Sequence, residues 1–181
     1  MEELKLPPSF PQEVVFYFGS QTGTAEKFCK ELEQELQSII TRDGSDRHAR
    51  VIDFEEFKDD AFAKHPLVIV CAATHYEGDP CDNTKKFYRW LRDARKQKAE
   101  NAQFLKGVRF AVFGLGDSSY EQYNFIGKFI NEGLEELGGE RIYKYGEGNA
   151  EGNHTEDDFN EWKAEIWTQI FQYYQENVKP D

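Results

Sequence analysis

The sequence is short of cysteine, of long apolar runs and of basic residues, and each shortage removes a class of function. Its three cysteines, Cys29, Cys71 and Cys81, form no Cys-x-x-Cys pair and no metal-ligand spacing, which excludes a disulfide framework and a structural zinc site. Cys29 and Cys71 sit in apolar stretches, where a thiol behaves as a small hydrophobe, so a reducing, cytoplasmic setting is expected. His48, His65, His75 and His154 are scattered without ligand spacing, and no metal is expected. The longest purely apolar run, Leu67 to Ala73, falls far short of the roughly 20 residues that cross a bilayer. The N-terminus has neither the basic start nor the apolar stretch of a secretory signal. With 34 acidic against 22 basic residues the formal charge is -12. Such a surface repels nucleic acid and anionic membranes, and it suits a basic protein partner.

What is present is a globular pattern. A 39% hydrophobic and 15% aromatic composition over 181 residues supplies one sizeable core. Residues 1–12 carry Pro7, Pro8 and Pro11 and read as a lead-in or linker stub, with 13–178 as a single domain. Short apolar runs at 14–18, 51–54, 67–73, 108–115 and 141–145 predict five strands. Amphipathic segments between them predict helices: 24–40, with Phe28, Leu32, Leu36 and Ile39 on one face; one from about Asn83, with Phe87, Trp90, Leu91 and Ala94; and one with Phe125, Phe129, Leu134 and Leu137. A single closing helix is opened by Thr155 and carries Phe159, Trp162, Ile166 and Ile170. The alternation predicts an α/β fold: a flavodoxin-like, doubly wound, five-stranded parallel sheet in the order 2-1-3-4-5 with helices on both faces. Ligands of such sheets bind beyond the carboxyl ends of the strands.

Three segments follow those ends. After the first strand comes Ser20-Gln21-Thr22-Gly23-Thr24-Ala25, running straight into a helix. Free N–H groups at the helix start, its dipole and three hydroxyls suit a phosphate. The lysine of a Walker loop is missing, so a monophosphate fits better than a polyphosphate with magnesium. A plain capped turn is the alternative. After the third strand comes Thr74-His75-Tyr76-Glu77-Gly78, with aromatics that suit a flat heterocycle, or else an ordinary acidic surface loop. After the fourth come Leu115, Gly116 and Asp117, then Tyr120, Tyr123 and Asn124. Its glycines allow close approach and Tyr120 offers a second aromatic wall, or it is a core-capping tyrosine on a tight turn. Together the three loops suit a planar ring with a phosphorylated tail.

The stretches Ser20-Gln21-Thr22-Gly23-Thr24-Ala25-Glu26, Phe113-Gly114-Leu115-Gly116 and Tyr120-Glu121-Gln122-Tyr123-Asn124 resemble the flavin mononucleotide (FMN) domain of the diflavin reductases. That family includes NADPH–cytochrome P-450 reductase, the nearest in pattern, and nitric-oxide synthase, sulfite reductase and methionine synthase reductase. The resemblance extends over about 14–167, with Gly78-Asp79-Pro80, Asp82-Asn83, Phe87-Tyr88 and Glu156-Asp157-Asp158-Phe159. It implies electron transfer: an FAD/NADPH module reduces FMN, which passes electrons singly to a haem protein such as a cytochrome P-450 or cytochrome c. It implies that Ser20 to Thr24 hold the phosphate, that Tyr120 stacks on the ring, and that 74–78 meet its edge near N5. Glu77, Asp79, Asp82, Asp117 and Glu121 would then draw a basic partner to that edge.

The family's Thr-Tyr-Gly-Glu-Gly is here Thr74-His75-Tyr76-Glu77-Gly78, so either His75 or Tyr76 takes the stacking place. The reorienting glycine is gone, and a tyrosine with positive φ costs about 1–2 kcal/mol; the one-electron semiquinone is expected to be less stabilised than in flavodoxins. Ala150 stands where the family often has an acid. The expected role of 181 residues is an FMN carrier excised from a longer reductase, with FAD and NADPH bound elsewhere. Its expected location is the cytoplasm, or the cytoplasmic face of the endoplasmic reticulum if an anchor precedes it in the parent. The alternatives are a free-standing flavodoxin-type carrier, the FMN domain of another diflavin reductase, and an interaction module that has lost its flavin.

Overall fold

A computed structural model describes residues 3–181. The chain runs β1 (Glu13–Gly19), α1 (Thr24–Arg42), β2 (His48–Asp53), α2 (Asp59–Phe62), β3 (Leu67–His75), β4 (Asp79–Pro80), α3 (Lys85–Lys96), α4 (Lys98–Asn101), β5 (Arg109–Gly116), α5 (Phe125–Glu136), β6 (Glu140–Arg141), β7 (Gly146–Asn149), α6 (Thr155–Lys163) and α7 (Ile166–Asn177). The main sheet has the order β2-β1-β3-β5-β6, and β7 also pairs with β5. Every pair in it is parallel. This is the flavodoxin-like order 2-1-3-4-5, with the last position shared by two short strands.

The central strands are apolar on both faces because both faces are covered. Phe16 and Phe18 of β1, Ile69 and Cys71 of β3, and Phe113 of β5 point into one core with Phe28, Leu32 and Leu36 of α1 and Phe159, Trp162, Ile166 and Ile170 of α6 and α7. Their neighbours Val15, Tyr17, Val68, Val70 and Val112 point into the other, with Phe87 and Leu91 of α3 and Ile126, Ile130 and Leu134 of α5. Ahead of β1, Leu6 and Phe10 are buried; Phe10 packs edge-on against Phe171 and Tyr174 of α7, at centroid distances of 5.2 and 5.3 Å.

Two elements differ from the sequence expectation. The fifth strand, expected over 141–145, pairs with β5 at Glu140–Arg141 and again at Gly146–Asn149, with a break between. In a regular strand residues two apart share a face, yet Tyr143 belongs to one core and Tyr145 packs against the other. The backbone cannot remain a strand and serve both. The closing helix is two helices, α6 and α7, separated at Ala164 and Glu165, although Phe159, Trp162, Ile166 and Ile170 keep one helical stripe across the break.

No helix among the described residues is long and apolar enough to cross a membrane. The three cysteines are free and buried, and the described residues contain no cluster of side chains suited to a metal.

Candidate functional site

The parallel order brings the carboxyl ends of β1, β3 and β5 side by side, and the segments leaving them enclose a cleft of about 240 Å³. The β1–α1 loop forms one end. Gly23 sits at φ 95 as the N-cap of α1, a left-handed conformation that glycine adopts without a Cβ penalty. The Ser20 hydroxyl accepts a hydrogen bond from the Gly23 amide at 2.7 Å, which curls the loop. The hydroxyls of Thr22 and Thr24 lie 3.5 Å apart at the helix entrance. The first N–H groups of a helix have no partner within it, so α1 offers backbone donors and the positive end of its dipole here.

A second layer holds that loop in place. The Ser20 amide donates to Asn83 Oδ1 at 3.1 Å, while Asn83 Nδ2 donates to the Phe18 carbonyl at 3.3 Å and to Asp53 Oδ1 at 3.0 Å. The Asp82 amide donates to Gln21 Oε1 at 3.3 Å. Gln21 and Gly23 therefore shape the loop and do not line the cleft, whereas Ser20, Thr22, Thr24 and Ala25 do line it.

The β3 segment closes the second side. Thr74 and Tyr76 line the cleft. His75 lines a neighbouring groove with Lys85 and Arg89, although its ring stays against that of Tyr76, with centroids 3.9 Å apart, so of the two aromatic alternatives Tyr76 borders the cleft. Tyr76 has φ 42, the left-handed region that costs a non-glycine residue about 1–2 kcal/mol, and it is 61% exposed. Its ring centroid lies 6.3 Å from that of Tyr120, edge-on at 61°. Glu77 and Gly78 form the hairpin tip and lie outside the lining. Gly78 is also required by shape: φ is 99, and a Cβ there would come within 2.9 Å of the Gln122 side chain.

The β5 segment supplies the third side with Leu115, Gly116, Asp117, Tyr120 and Asn124. Hydrogen bonds from the Ser119 hydroxyl and amide hold the Asp117 carboxyl below its ordinary range. Tyr123 is not among the residues lining the cleft, and burial raises its phenol. Asn124 caps α5 at φ 54 and is fully buried. Neither Nδ2 nor Oδ1 of Asn124 makes a hydrogen bond of good geometry, the adjacent Tyr123 phenol being the polar neighbour it influences. A buried amide without partners costs about 1–3 kcal/mol, and this one borders the cleft.

The sequence missed Ala73, Gln122 and Thr155 as lining residues, and it named Ala150 only as a departure. Thr155 was recognised as a helix opener, and nothing in its local pattern marks the return of α6 to the β1–α1 loop. The turn at 149–151 is fastened to the β5 loop. The Ser118 amide donates to Asn149 Oδ1 at 3.0 Å, the Ser118 hydroxyl donates to Glu151, and the Ala150 amide donates to the Gly116 carbonyl at 2.8 Å.

The doubly wound sheet, with a lysine-free hydroxyl loop at a helix N-terminus and aromatic residues beyond its middle strands, defines an α/β protein of the flavodoxin-like class, with its cleft at the carboxyl ends of the strands where such sheets take their ligands. The chain belongs to the flavodoxin family, whose model, described as Flavodoxin, matches residues 16–162. It is 36% identical over 161 residues to NADPH–cytochrome P450 reductase of Homo sapiens and 37% identical over 158 residues to that of Dictyostelium discoideum. These matches cover 89% and 87% of the chain but 22% of each relative, so the chain spans about a fifth of their length. Among solved structures, a cysteine-to-serine mutant of flavodoxin from Pseudomonas aeruginosa is similar with TM-score 0.66 and 26% identity, covering 87% of this chain and 98% of that one. Oxidised flavodoxin 1 from Bacillus cereus shares the fold with TM-score 0.63 and 20% identity, over 92% and 99% of the two chains.

Proposed function

We propose that the chain binds FMN in this cleft and serves as an electron-transfer domain between an FAD/NADPH module and a haem protein such as a cytochrome P-450. The observation that carries the reading is the convergence of the Ser20–Thr24 loop with Tyr76 and Tyr120 on one cleft. FMN supplies the redox chemistry when bound, accepting electrons from a reduced flavin and releasing them one at a time.

The residues present fit that group. Ser20, Thr22 and Thr24, with the amides at the start of α1, hold a phosphate without a competing lysine or metal. Tyr76 and Tyr120 provide ring surface for a flat heterocycle. Asn124 offers an unsatisfied amide to a polar edge, and Gly116 keeps the backbone close to it, since a Cβ there would come within 2.8 Å of Asn124 Oδ1. Ala73 and Leu115 keep water from the apolar part of the cleft. Asp117 and Glu121, near the exposed Tyr120, give that side of the cleft a negative rim that attracts a basic haem protein.

The relatives of which this chain spans a fifth are reductases, and in this reading NADPH oxidation is the task of the FAD/NADPH module that supplies the electrons. A cytoplasmic setting accords with the three free thiols. The test is reduction of the FMN-loaded chain by the FAD module of a diflavin reductase, followed by transfer to cytochrome c. Failure of both steps in a chain that retains flavin would overturn the proposal.

A further inference from the structure

Charge is unevenly spread over this molecule. The chain carries -12 overall, yet six of the twelve residues of α3 are Lys or Arg and one, Asp93, is acidic. Lys85, Arg89, Arg92 and Lys96 recur at steps of four, three and four, which aligns them in one stripe about 16 Å long. Lys85 is paired with Asp82 at 2.9 Å and Arg92 with Asp93 at 3.1 Å. Arg95 is paired with Glu136 at 2.8 Å. Among the described residues, Lys86, Arg89 and Lys96 have no ion pair.

The stripe borders a groove of about 490 Å³ lined by His75, Asp79, Tyr88, Arg89 and Arg92 together with the Asp82–Lys85 pair. His75 belongs to the same hairpin as Tyr76, so groove and cleft meet at that hairpin. Aromatic surface continues from it: Tyr88 packs on Phe129 at 5.0 Å, Phe129 stacks with Phe125 at 5.8 Å, and the Arg95 guanidinium lies 4.4 Å from the Phe129 ring. Aromatic and arginine side chains are the residues enriched at protein interfaces.

We propose that the α3 face docks a carboxylate-rich protein, an electron-transfer partner that approaches the cleft past Tyr76. The inference rests on the electron-transfer reading of the cleft. Charge selects the occupant: cations without partners, on a chain otherwise strongly acidic, attract an acidic surface and repel a basic one. Within the groove Asp82 is paired with Lys85 and Asp79 offsets one cation, which leaves the exposed α3 stripe net positive, whereas Asp117, Glu121, Glu147 and Glu151 lie on the β5 loop, β7 and the turn after it. The cleft thus stands between surfaces of opposite sign, one for a basic partner and one for an acidic partner.

The experiment is calorimetric titration of the FMN-loaded chain with cytochrome b5, an acidic haem protein, and with the basic cytochrome c, at low and high ionic strength. Cytochrome b5 is expected to bind at low ionic strength and to lose affinity as the Debye length shrinks below about 10 Å. Arg89→Glu/Lys96→Glu is expected to weaken that binding at least about tenfold, Arg89→Gln/Lys96→Gln to weaken it less, and both to leave cytochrome c binding and the flavin spectrum unchanged. Undiminished cytochrome b5 binding in the charge-reversed chain would overturn the proposal. So would absence of cytochrome b5 binding with binding to phosphatidylserine vesicles, which would assign the stripe to a membrane. A chain that takes up no FMN would sink the electron-transfer reading, and the same titration on the flavin-free chain would still decide the dock.

Discussion

The Asn83 side chain accepts a hydrogen bond from the Ser20 amide at 3.1 Å, joining the segment before α3 to the loop that opens α1. Asn83 thereby bridges β1, Asp53 at the end of β2, and the loop at the cleft. Asn83→Ala is expected to lower stability by about 1–3 kcal/mol, because it leaves buried backbone groups without partners. FMN affinity should also fall at least about tenfold as the loop loosens, by the roughly 1.4 kcal/mol per decade of binding. Thermal melts and flavin-fluorescence titration check both, and unchanged affinity would show that the loop needs no such support.

Gly19 stands where no side chain fits, since a Cβ there would lie 2.1 Å from Thr84 Oγ1. Gly19→Ala is expected to be destabilising by about 1–3 kcal/mol, the usual cost of overpacking. Thr84→Ala removes the clashing oxygen, so the double variant should recover part of the loss, a coupling readable in a double-mutant cycle. Additive effects of the two changes would contradict the contact.

Asn124 separates the cost of folding from the gain on binding. Asn124→Gly keeps the left-handed backbone at φ 54 and removes the unpartnered amide. The flavin-free chain is expected to lose less than about 1 kcal/mol, because the amide makes no internal bond and its removal offsets a desolvation cost. FMN affinity is expected to drop by about 1 kcal/mol or more, the worth of a lost hydrogen bond. Equal affinity for FMN in the two chains would show that the amide serves something else.

His65 gives the fold a pH dependence away from the cleft. Burial lowers its pKa below the ordinary 6.5, outweighing the opposing pull of Glu13, and Arg50 adds to the lowering. Its ring lies 3.1 Å from the Tyr17 hydroxyl. The folded state therefore binds fewer protons than the unfolded chain, and stability is full above pH 6.5 and declines as pH falls through the lowered value. His65→Gln should flatten that part of a melting-temperature profile, and an unchanged slope would assign it to other groups.

The residues that announced the fold were those whose period matches their element. Phe28, Leu32 and Leu36 marked out α1, and the alternation of Val15 and Tyr17 with Phe16 and Phe18 marked a strand buried on both sides. The interruption between Tyr143 and Tyr145 was hidden because both look like strand residues, and only the three-dimensional positions of the two cores separate them. At the cleft, Ser20, Thr22 and Thr24 were legible because hydroxyls before a helix have a local reason. Which of His75 and Tyr76 borders the cleft follows from the pairing of a two-residue strand, β4, with β3, and the sequence carries no signal of that pairing. Ala150 and Thr155 reach the cleft only through long-range packing, whereas Gln122 comes with Tyr120 on the β5–α5 loop and carries no chemical signal of its own.

The central claim is a phosphate-gripping flavin site built on the Ser20–Thr24 loop. Its most direct test is titration of the flavin-free chain with FMN and with riboflavin, which lacks the phosphate, followed by quenching of flavin fluorescence. FMN is expected to bind, and riboflavin to bind at least about a hundredfold more weakly, as loss of nearly 3 kcal/mol of charge-assisted hydrogen bonding requires. Equal affinity for the two, or no uptake of either, would contradict the claim.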